Sequence, residues 1–260
     1  MPHVMTLAAE EFRGLLRRPI RLVRILSPRR AGAHFAYLRA RLRRLKLEAR
    51  WRREEVSWKG LQNGPEFQRR AYDSYEDYAK HQRDKIESLG TDWLVTYDVR
   101  YRKVLGATLN SLGMISPGDR VLCLAARLGT EVKAFIDLGC FAVGIDLNPG
   151  PENRYVVVGD FHDLQFADLS IDVVFTNSLD HAYDLDRLAR EAHRVLRPGG
   201  VMIIELMKGA EEGGKPSVYE SLHWSRTEAV IDVFTNIGFE VVHRVETQSF
   251  RNYPVFCMIK

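Results

Sequence analysis

The alternation of short apolar segments with helical segments constrains the fold of this chain more than any other feature. The series begins with VLCLA at residues 121–125 and ends with VMIIEL at residues 201–206. Between them lie FAVGID, YVVVGD and DVVFTNS, which are also short and rich in β-branched residues. Segments with helical periodicity or turn residues separate these runs. The alternation predicts parallel strands joined by helical crossovers.

Local signals mark the ends of two helices and the last two strands. Thr130 is expected to cap a helix that Gly139 terminates. A later helix has a predicted capping box, Ser225 with Glu228, and closes at Gly238. The final apolar segments, FEVVHRV and PVFCMIK, have no helix-length spacer between them, so they are expected to pair antiparallel at the sheet edge.

The composition is that of a folded chain. With 260 residues, 45% hydrophobic and 10% aromatic, it has enough apolar surface for a packed core. We find no apolar run of about 18 residues and no charged-then-apolar leader, so neither a membrane-spanning helix nor a secretory signal is predicted. The predicted location is the cytoplasm, with a peripheral position at a membrane as an alternative.

The cysteines give no indication of a disulfide framework. Cys123, Cys140 and Cys257 are odd in number, widely spaced and set in apolar surroundings. This pattern favours buried thiols over disulfides or a metal site. No metal is therefore predicted.

A strongly basic segment precedes the alternating elements. Residues 12–53 contain fifteen Arg or Lys against one acid, so the rest of the chain carries a net charge of −10 within the total of +4. Apolar residues recur there at helical spacing, which predicts basic amphipathic helices. Such helices suit an anionic membrane surface, an acidic partner protein or a phosphate backbone. Packing of the apolar stripes on the acidic body, or organellar targeting, are the alternatives.

The chain is therefore divided into three regions. Residues 1–57 are the basic helical extension, residues 58–94 a helical lid or linker, and residues 95–260 the α/β domain. The middle region carries three tyrosines at three-residue spacing, a pattern typical of either core packing or a lid over a pocket. These tyrosines are Tyr72, Tyr75 and Tyr78.

Five segments of the α/β domain occur in a specific order: VLCLAARLGTE, VGIDLNP, VVGDFHDLQFAD, IDVVFTNSLDHAYD and RVLRPGG. Each is common by itself, but their order and spacing are not. Together they resemble the class I S-adenosylmethionine-dependent methyltransferases, particularly the small-molecule branch. The resemblance covers roughly residues 95–260. It implies a Rossmann-like, doubly wound α/β sheet, mostly parallel with a C-terminal antiparallel strand, that binds S-adenosylmethionine and a small-molecule acceptor.

The resemblance implies that the loop after the first parallel strand holds the methionine part of the cofactor. Of the three glycines usual there, only Gly129 is present, because Ala125 and Arg127 occupy the other two positions. An alanine fits where φ is negative, whereas a position with positive φ resists it. Cys123 stands where the family often has an acid. We hypothesise that Arg127 meets the cofactor carboxylate and that Glu131 supplies the missing charge.

Further cofactor contacts are implied at the ends of the next strands. Asp146, with Leu147 beside it, matches the acid that accepts hydrogen bonds from both ribose hydroxyls. An Asx turn is the structural alternative. Asp160 matches the acid that receives the adenine amino group, with Phe161 beside the base; a strand-end cap is its alternative. Asn177 is expected to line the floor beneath the cofactor.

Catalysis by such a protein consists mainly of alignment, because a sulfonium is a strong electrophile, and a general base is optional. The candidate catalytic residues are Asp180, His181 and His223. For His181, packing is the alternative role. The glycine-rich segment 207–224 is long for a connection, so it is expected to shape the acceptor site through Tyr219 and Trp224, or else to be a surface loop.

The favoured function is methyl transfer to a small-molecule or lipid-linked acceptor. A catalytically degenerate cofactor-binding scaffold is one alternative, because two glycines and an acid are replaced in the first loop. RNA methylation through the basic segment is another, although an NPPY-type motif is absent and the body is acidic. The lack of GxGxxG argues against a nicotinamide dehydrogenase.

Overall fold

A computed structural model provides the structure of the chain. It describes residues 58–61, 64–88, 91–216, 219–246 and 253–260. The basic segment predicted at residues 12–53 lies outside them. The compact unit considered below comprises Val56–Ile86 and Val95–Lys260. Among the described residues, no helix combines the length and apolar character needed to cross a membrane.

From residue 120 onward, helices lie between several of the strands, as the sequence predicts, but none of the described helices separates the three strands between residues 141 and 176. The strands are β1 Trp58–Leu61, β2 Gly64–Arg70, β3 Arg120–Leu124, β4 Phe141–Asp146, β5 Val156–Val158, β6 Ile171–Thr176, β7 Leu196–Glu205, β8 Leu222–Trp224, β9 Glu240–Glu246 and β10 Pro254–Ile259. The helices are α1 Tyr75–Ser88, α2 Thr91–Leu112, α3 Thr130–Asp137, α4 Leu185–Val195 and α5 Thr227–Thr235. Short 3-10 turns lie at Leu179–His181 and Ala210–Glu212.

The main sheet has seven strands in the order β5-β4-β3-β6-β7-β10-β9. The first five strands of this order pair in parallel. Strand β10 pairs antiparallel with both β7 and β9, and β9 forms the sheet edge. The predicted antiparallel pair at the C-terminal edge is therefore confirmed, and so is the mostly parallel Rossmann-like sheet.

Helices cover both faces of the sheet because alternate strand residues point to opposite sides. In β3, Leu122 and Leu124 pack in one core cluster with residues of α4 and α5. Val121 and Cys123 pack in a second cluster with residues of α2 and α3. This arrangement is the predicted doubly wound fold. The cysteines are buried free thiols, as expected.

Helix α3 begins at a position that only glycine fits. Its N-cap is Gly129, at φ 75°, and the helix has no side-chain cap. A Cβ at this position would lie 2.6 Å from the Cβ of Tyr155, so any side chain would collide with its neighbour. The prediction that Thr130 caps the helix was wrong. Its hydroxyl donates instead to Oδ1 of Asp98 on α2, at 2.7 Å.

Helix α5 is capped by a residue that lies 15 positions from Thr227 in the sequence. It begins at Thr227 with Arg226 in the N-cap position, so the predicted capping box of Ser225 and Glu228 is not formed. The carboxylate of Glu212 accepts hydrogen bonds from the backbone nitrogen of Thr227 at 3.0 Å and from its hydroxyl at 2.7 Å. The local sequence pattern was misleading because the capping carboxylate comes from the preceding 3-10 turn.

A second sheet, of order β1-β2-β8, was not predicted. Strands β1 and β2 form an antiparallel hairpin where a helical segment was expected, and β8 lies within the predicted loop 207–224. All three residues of β8 are buried, which explains why this part of the glycine-rich segment is ordered against the body. The prediction of helix therefore holds for α1 but was wrong for residues 58–70.

Candidate functional site

A pocket with about 500 Å³ of empty space opens at the carboxyl ends of β3, β4, β5 and β6. Its lining includes seven of the predicted site residues: Ala125, Arg127, Asp146, Leu147, Asp160, Phe161 and His181. Three lining residues were not predicted: Gln82, Gly159 and Ser178. The eleventh, Tyr78, belongs to the tyrosine pattern for which core packing or a lid over a pocket was expected.

The loop between β3 and α3 keeps the shape of a glycine loop although two of its residues carry side chains. Ala125 has φ 51° and Arg127 has φ 46°, both in the left-handed region. An L-residue pays about 1–2 kcal/mol for this conformation. The backbone of Arg127 is tied at both ends: its N–H donates to Oδ2 of Asp146 at 3.0 Å, and its carbonyl accepts from Asn153 at 2.9 Å. Ala125 and Arg127 therefore add backbone strain to this loop, because they stand at positions whose φ favours glycine.

Asp146 links the loops that follow β3 and β4. Its Oδ2 accepts from the backbone nitrogen of Arg127, and its Oδ1 accepts from that of Asn148 at 2.8 Å. The second contact is the Asx turn considered as its alternative role. A carboxylate offers about four acceptor positions, so both oxygen atoms keep a lone pair for a ligand. Asp146 can therefore hold the loop and face the pocket at once.

Asp160 is held by a histidine that sequence reasoning missed. The Nε2 atom of His162 accepts from the backbone nitrogens of Tyr183 and Asp184, each at 3.1 Å. These contacts place the ring proton on Nδ1, which donates to Oδ1 of Asp160 at 2.8 Å. The spacing Asp-x-His in GDFHD was the available signal. This spacing identifies His162 only in a search for the residue that orients the carboxylate of Asp160.

Tyr75, at the start of α1, reaches the other oxygen of the same carboxylate. Its hydroxyl donates to Oδ2 of Asp160. Burial by itself would raise the pKa of Asp160, but the hydrogen bonds from His162 and Tyr75 outweigh it, so the pKa lies below its ordinary value. Burial and the neighbouring carboxylate raise the pKa of Tyr75. Asp160 is therefore an ionised acceptor at neutral pH.

His181 has the polarity of a proton acceptor. Its Nδ1 lies 3.0 Å from the carbonyl oxygen of Tyr219, which can only accept, so Nδ1 carries the proton of the neutral ring. The Nε2 atom then has the lone pair and lies 3.7 Å from Oδ2 of Asp180. A proton gained by Nε2 would be stabilised by this carboxylate.

Helix α1 supplies the wall of the pocket opposite the strands. The hydroxyl of Tyr78 donates to the carbonyl of His181 at 3.0 Å. The Nε2 atom of Gln82 donates to the carbonyl of Tyr219 at 3.0 Å and to the hydroxyl of Ser221 at 2.7 Å. The contacts of Gln82 join residues more than 130 positions apart, so no local pattern reports them.

Asn177 lies behind the pocket in the structure. Its side-chain nitrogen donates to the hydroxyl of Tyr101 at 2.8 Å and to Oε1 of Glu131 at 3.1 Å. Its carbonyl oxygen accepts from Ser178 at 2.9 Å. Glu131 is buried, and neither it nor Gly129 belongs to the described pocket lining. These residues support the loops that end at the pocket.

The remaining candidates lie in β8 of the three-stranded sheet or just before it. Trp224 is 1% exposed, and its indole nitrogen donates to the carbonyl of Met207 at 3.0 Å. His223 is buried with its ring 6.2 Å from that of Trp58, and burial lowers its pKa. Tyr219 is buried and reaches the site through its backbone carbonyl. Among the described residues, these side chains are absent from the pocket lining, as is that of Asp180.

The sequence comparisons agree with this geometry. Residues 122–204, from β3 to β7, match the family described as methyltransferase domain. These residues therefore form a methyltransferase domain, as the resemblance to the class I S-adenosylmethionine-dependent methyltransferases predicts. This confirms the predicted family and its cofactor, S-adenosylmethionine. The methyltransferase domain thus spans the strands whose carboxyl ends carry the pocket.

Curated relatives match part of the chain. It is 41% identical over 99 residues to malonyl-[acyl-carrier protein] O-methyltransferase 1 of Coxiella burnetii, covering 36% of this chain and 33% of the relative. It is 37% identical over 108 residues to a demethylmenaquinone methyltransferase of Mycobacterium, covering 37% and 45%. A demethylmenaquinone methyltransferase of Corynebacterium urealyticum is 29% identical over 147 residues, with 54% and 63% covered. The chain therefore spans a third to under two thirds of these relatives.

Solved structures share the fold over a longer stretch. The 1,6-didemethyltoxoflavin-N1-methyltransferase of Burkholderia thailandensis was solved with 1,6-didemethyltoxoflavin and S-adenosylhomocysteine. It has a TM-score of 0.57 at 18% identity, covering 79% of this chain and 99% of that chain. A complex of the Haloferax volcanii Trm112 methyltransferase activator with a methyltransferase gives 0.51 at 19% identity, covering 73% and 98%. Both confirm the fold.

Proposed function

We propose that this protein transfers the methyl group of S-adenosylmethionine to a small-molecule or lipid-linked acceptor, with residues 95–260 as the cofactor-binding domain. The observation that carries the proposal is the pocket itself. It gathers predicted cofactor contacts from four successive strand ends around one opening. Asp146 and Asp160 follow neighbouring strands, so the ribose diol and the adenine amino group would each meet an ionised acceptor.

The residues present fit the cofactor. Both oxygen atoms of Asp146 keep acceptor capacity, and Asp160 is held ionised by Tyr75 and His162. Phe161 lies beside this carboxylate in the pocket wall, where an adenine ring would be covered. Arg127 supplies a cation for the methionine carboxylate. Asn177 acts from behind the pocket by supporting the loop after β6.

S-adenosylmethionine supplies an electrophilic methyl group. His181 receives the proton that the acceptor loses, on Nε2, because its Nδ1 proton is committed to the carbonyl of Tyr219. The carboxylate of Asp180, 3.7 Å away, stabilises the imidazolium that results. His223 is a positioning residue at most, because it lies in the three-stranded sheet. The side chains of Tyr219 and Trp224 hold the wall and do not need to touch the acceptor.

Calorimetric titration with S-adenosylmethionine and with S-adenosylhomocysteine tests the cofactor site. Micromolar affinity corresponds to about −8 kcal/mol. Asp146→Ala removes two charge-assisted acceptors and should weaken binding about 10-fold to 100-fold. Asp163→Ala is the matched control, because this carboxylate is 82% exposed. Equal affinities of the two variants in folded protein would contradict the assignment.

The names of the curated relatives provide the first acceptors to test, malonyl-acyl-carrier protein and demethylmenaquinone. Formation of S-adenosylhomocysteine with each, followed by mass spectrometry, measures turnover. His181→Gln should lower kcat about 100-fold or more without changing the Kd of S-adenosylhomocysteine. An unchanged kcat would remove the general-base role.

A degenerate scaffold remains the second candidate because Ala125 and Arg127 hold left-handed backbone positions. Turnover of either acceptor would eliminate it. For residues 12–53 we propose an anionic membrane surface or an acidic protein as partner. Co-sedimentation with anionic but not with neutral vesicles, lost on deletion of residues 1–55, is expected. Salt-dependent binding to RNA instead would favour RNA methylation.

A further inference from the structure

The acceptor side of the pocket is organised by one backbone carbonyl. The oxygen of Tyr219 accepts a hydrogen bond from Nε2 of Gln82 and another from Nδ1 of His181, each at 3.0 Å. Gln82 and His181 both line the pocket. Because both nitrogen atoms donate to the same oxygen, the two side chains are neighbours in the pocket wall, and each turns a hydrogen-bond donor toward Tyr219.

The amide of Gln82 is fixed in one orientation. Its nitrogen also donates to the hydroxyl of Ser221 at 2.7 Å, so both amide protons are used. The Ser221 hydroxyl lies 2.7 Å from that of Tyr72, which lies 2.8 Å from Nδ1 of His81. A reversed amide would place an oxygen against the carbonyl of Tyr219. The carbonyl of Gln82 is therefore the end of the amide that is directed away from these partners.

That oxygen is accessible. Among the described residues it accepts no hydrogen bond, and it does not belong to the buried side-chain atoms that lack a partner. Since Gln82 lines the pocket, its Oε1 is offered to a ligand.

We infer that Gln82 determines the acceptor class, so that this site takes a neutral nucleophile bearing an O–H or N–H group and rejects a carboxylate. An accessible acceptor atom in the pocket wall satisfies a ligand that donates a hydrogen bond. A carboxylate has only acceptors, so it would leave Oε1 of Gln82 unpaired. Of the two acceptors named above, malonyl-acyl-carrier protein carries a carboxylate, so this protein should not methylate it. The inference rests on the proposed function and names the substrate class of that same pocket.

Three naphthalene probes of matched shape test the inference on the full chain saturated with S-adenosylhomocysteine. They are 2-naphthol, which donates a hydrogen bond, 2-methoxynaphthalene, which cannot, and 2-naphthoate, which is an anion. Calorimetric competition should show 2-naphthol binding at least about tenfold more tightly than either analogue. Gln82→Met, which keeps the length of the side chain but removes the oxygen, should reduce this preference to threefold or less.

Ser221→Ala is the matched control, because it removes one anchor of the amide and leaves the oxygen in place. It should keep the preference for 2-naphthol. Binding of 2-naphthoate as tight as that of 2-naphthol, an unchanged preference in Gln82→Met, or no binding of 2-naphthol would each overturn the inference. If Gln82→Met does not fold, the relative affinities of the three probes for the unaltered protein still test the inference. Failure of the proposed function shows separately, as absence of S-adenosylhomocysteine binding.

Discussion

Replacement of Ala125 by glycine should stabilise the protein, which is the opposite of what most substitutions by glycine do. Ala125 has φ 51°, where a Cβ costs about 1–2 kcal/mol and glycine costs almost nothing. Glycine loses about 0.5–1 kcal/mol through the entropy of the unfolded chain. The Ala125 methyl is only partly buried, so its loss costs a few tenths of a kcal/mol more. The expected net gain is about 0.5 kcal/mol.

The next residue along the chain provides the matched control. Ala126 is 2% exposed and packs in the cluster that contains α3, and its φ is not positive. Removal of its methyl costs about 0.8 kcal/mol, and the added chain entropy costs about 0.5–1 kcal/mol. Ala126→Gly should therefore destabilise the protein by about 1–2 kcal/mol. The same chemical change at adjacent positions is expected to have opposite signs.

Urea unfolding followed by tryptophan fluorescence measures both variants, with Trp224 as a buried reporter. Free energies of unfolding are compared at equal denaturant slope, because a changed slope indicates a changed unfolded state. If Ala125→Gly destabilises the protein as much as Ala126→Gly does, the left-handed conformation of the loop is wrong. The interpretation of the altered loop as a strained glycine loop would then be wrong as well.

Three further predictions concern other parts of the body. Tyr75→Phe removes a hydrogen-bond donor from Asp160 and therefore raises the pKa of that carboxylate. The affinity for S-adenosylhomocysteine, measured by calorimetric titration, should fall about threefold to tenfold at pH 7.5 and further at pH 5.5. Tyr155→Phe is the control and should leave this affinity unchanged. Hydrogen bonds from arginine side chains hold the pKa of Asp172 well below its ordinary value. These bonds therefore add to the free energy of unfolding at pH values above the unfolded pKa of about 3.9. Their contribution is lost as the pH falls toward the folded pKa. Asp172→Asn should therefore lower the free energy of unfolding at pH 7 by about 1 kcal/mol or less and flatten its fall between pH 5 and 3 in urea titrations; an unaltered slope would contradict this. Leu188→Ala, at a position that is 0% exposed, should cost about 2–5 kcal/mol in the same assay, and a cost below about 1 kcal/mol would show that α4 does not pack as described.

The cofactor half of the pocket could be predicted because its contacts are local in sequence. Asp146 and Asp160 each end a strand segment, and the carboxyl ends of parallel strands meet at one edge of the sheet. The left-handed φ of Ala125 and Arg127 could not be predicted, since the sequence alone suggests either strain or a different loop. Only the structure distinguishes a strained loop from a loop of a different shape.

The acceptor half could not be predicted because its contacts are long-range. The hydrogen bonds of Gln82 reach Tyr219 and Ser221, and those residues are placed by a short strand pairing with β2. Apolar periodicity reports which face of an element is buried, but it does not report which backbone carbonyl a glutamine will meet. For the same reason Trp224 was expected at the acceptor, whereas it packs in the core.

The two halves of the site therefore come from different parts of the chain. The proposed cofactor contacts lie within residues 122–204, the stretch that matches the methyltransferase domain family. Gln82 and the Tyr219 carbonyl lie outside that stretch, on α1 and beside β8. Substitutions in these flanking elements can change the hydrogen-bonding polarity of the acceptor wall while Asp146 and Asp160 stay in place. Similarity within residues 122–204 accordingly supports the proposed cofactor site, whereas the proposed acceptor class rests on Gln82, which α1 contributes to the pocket.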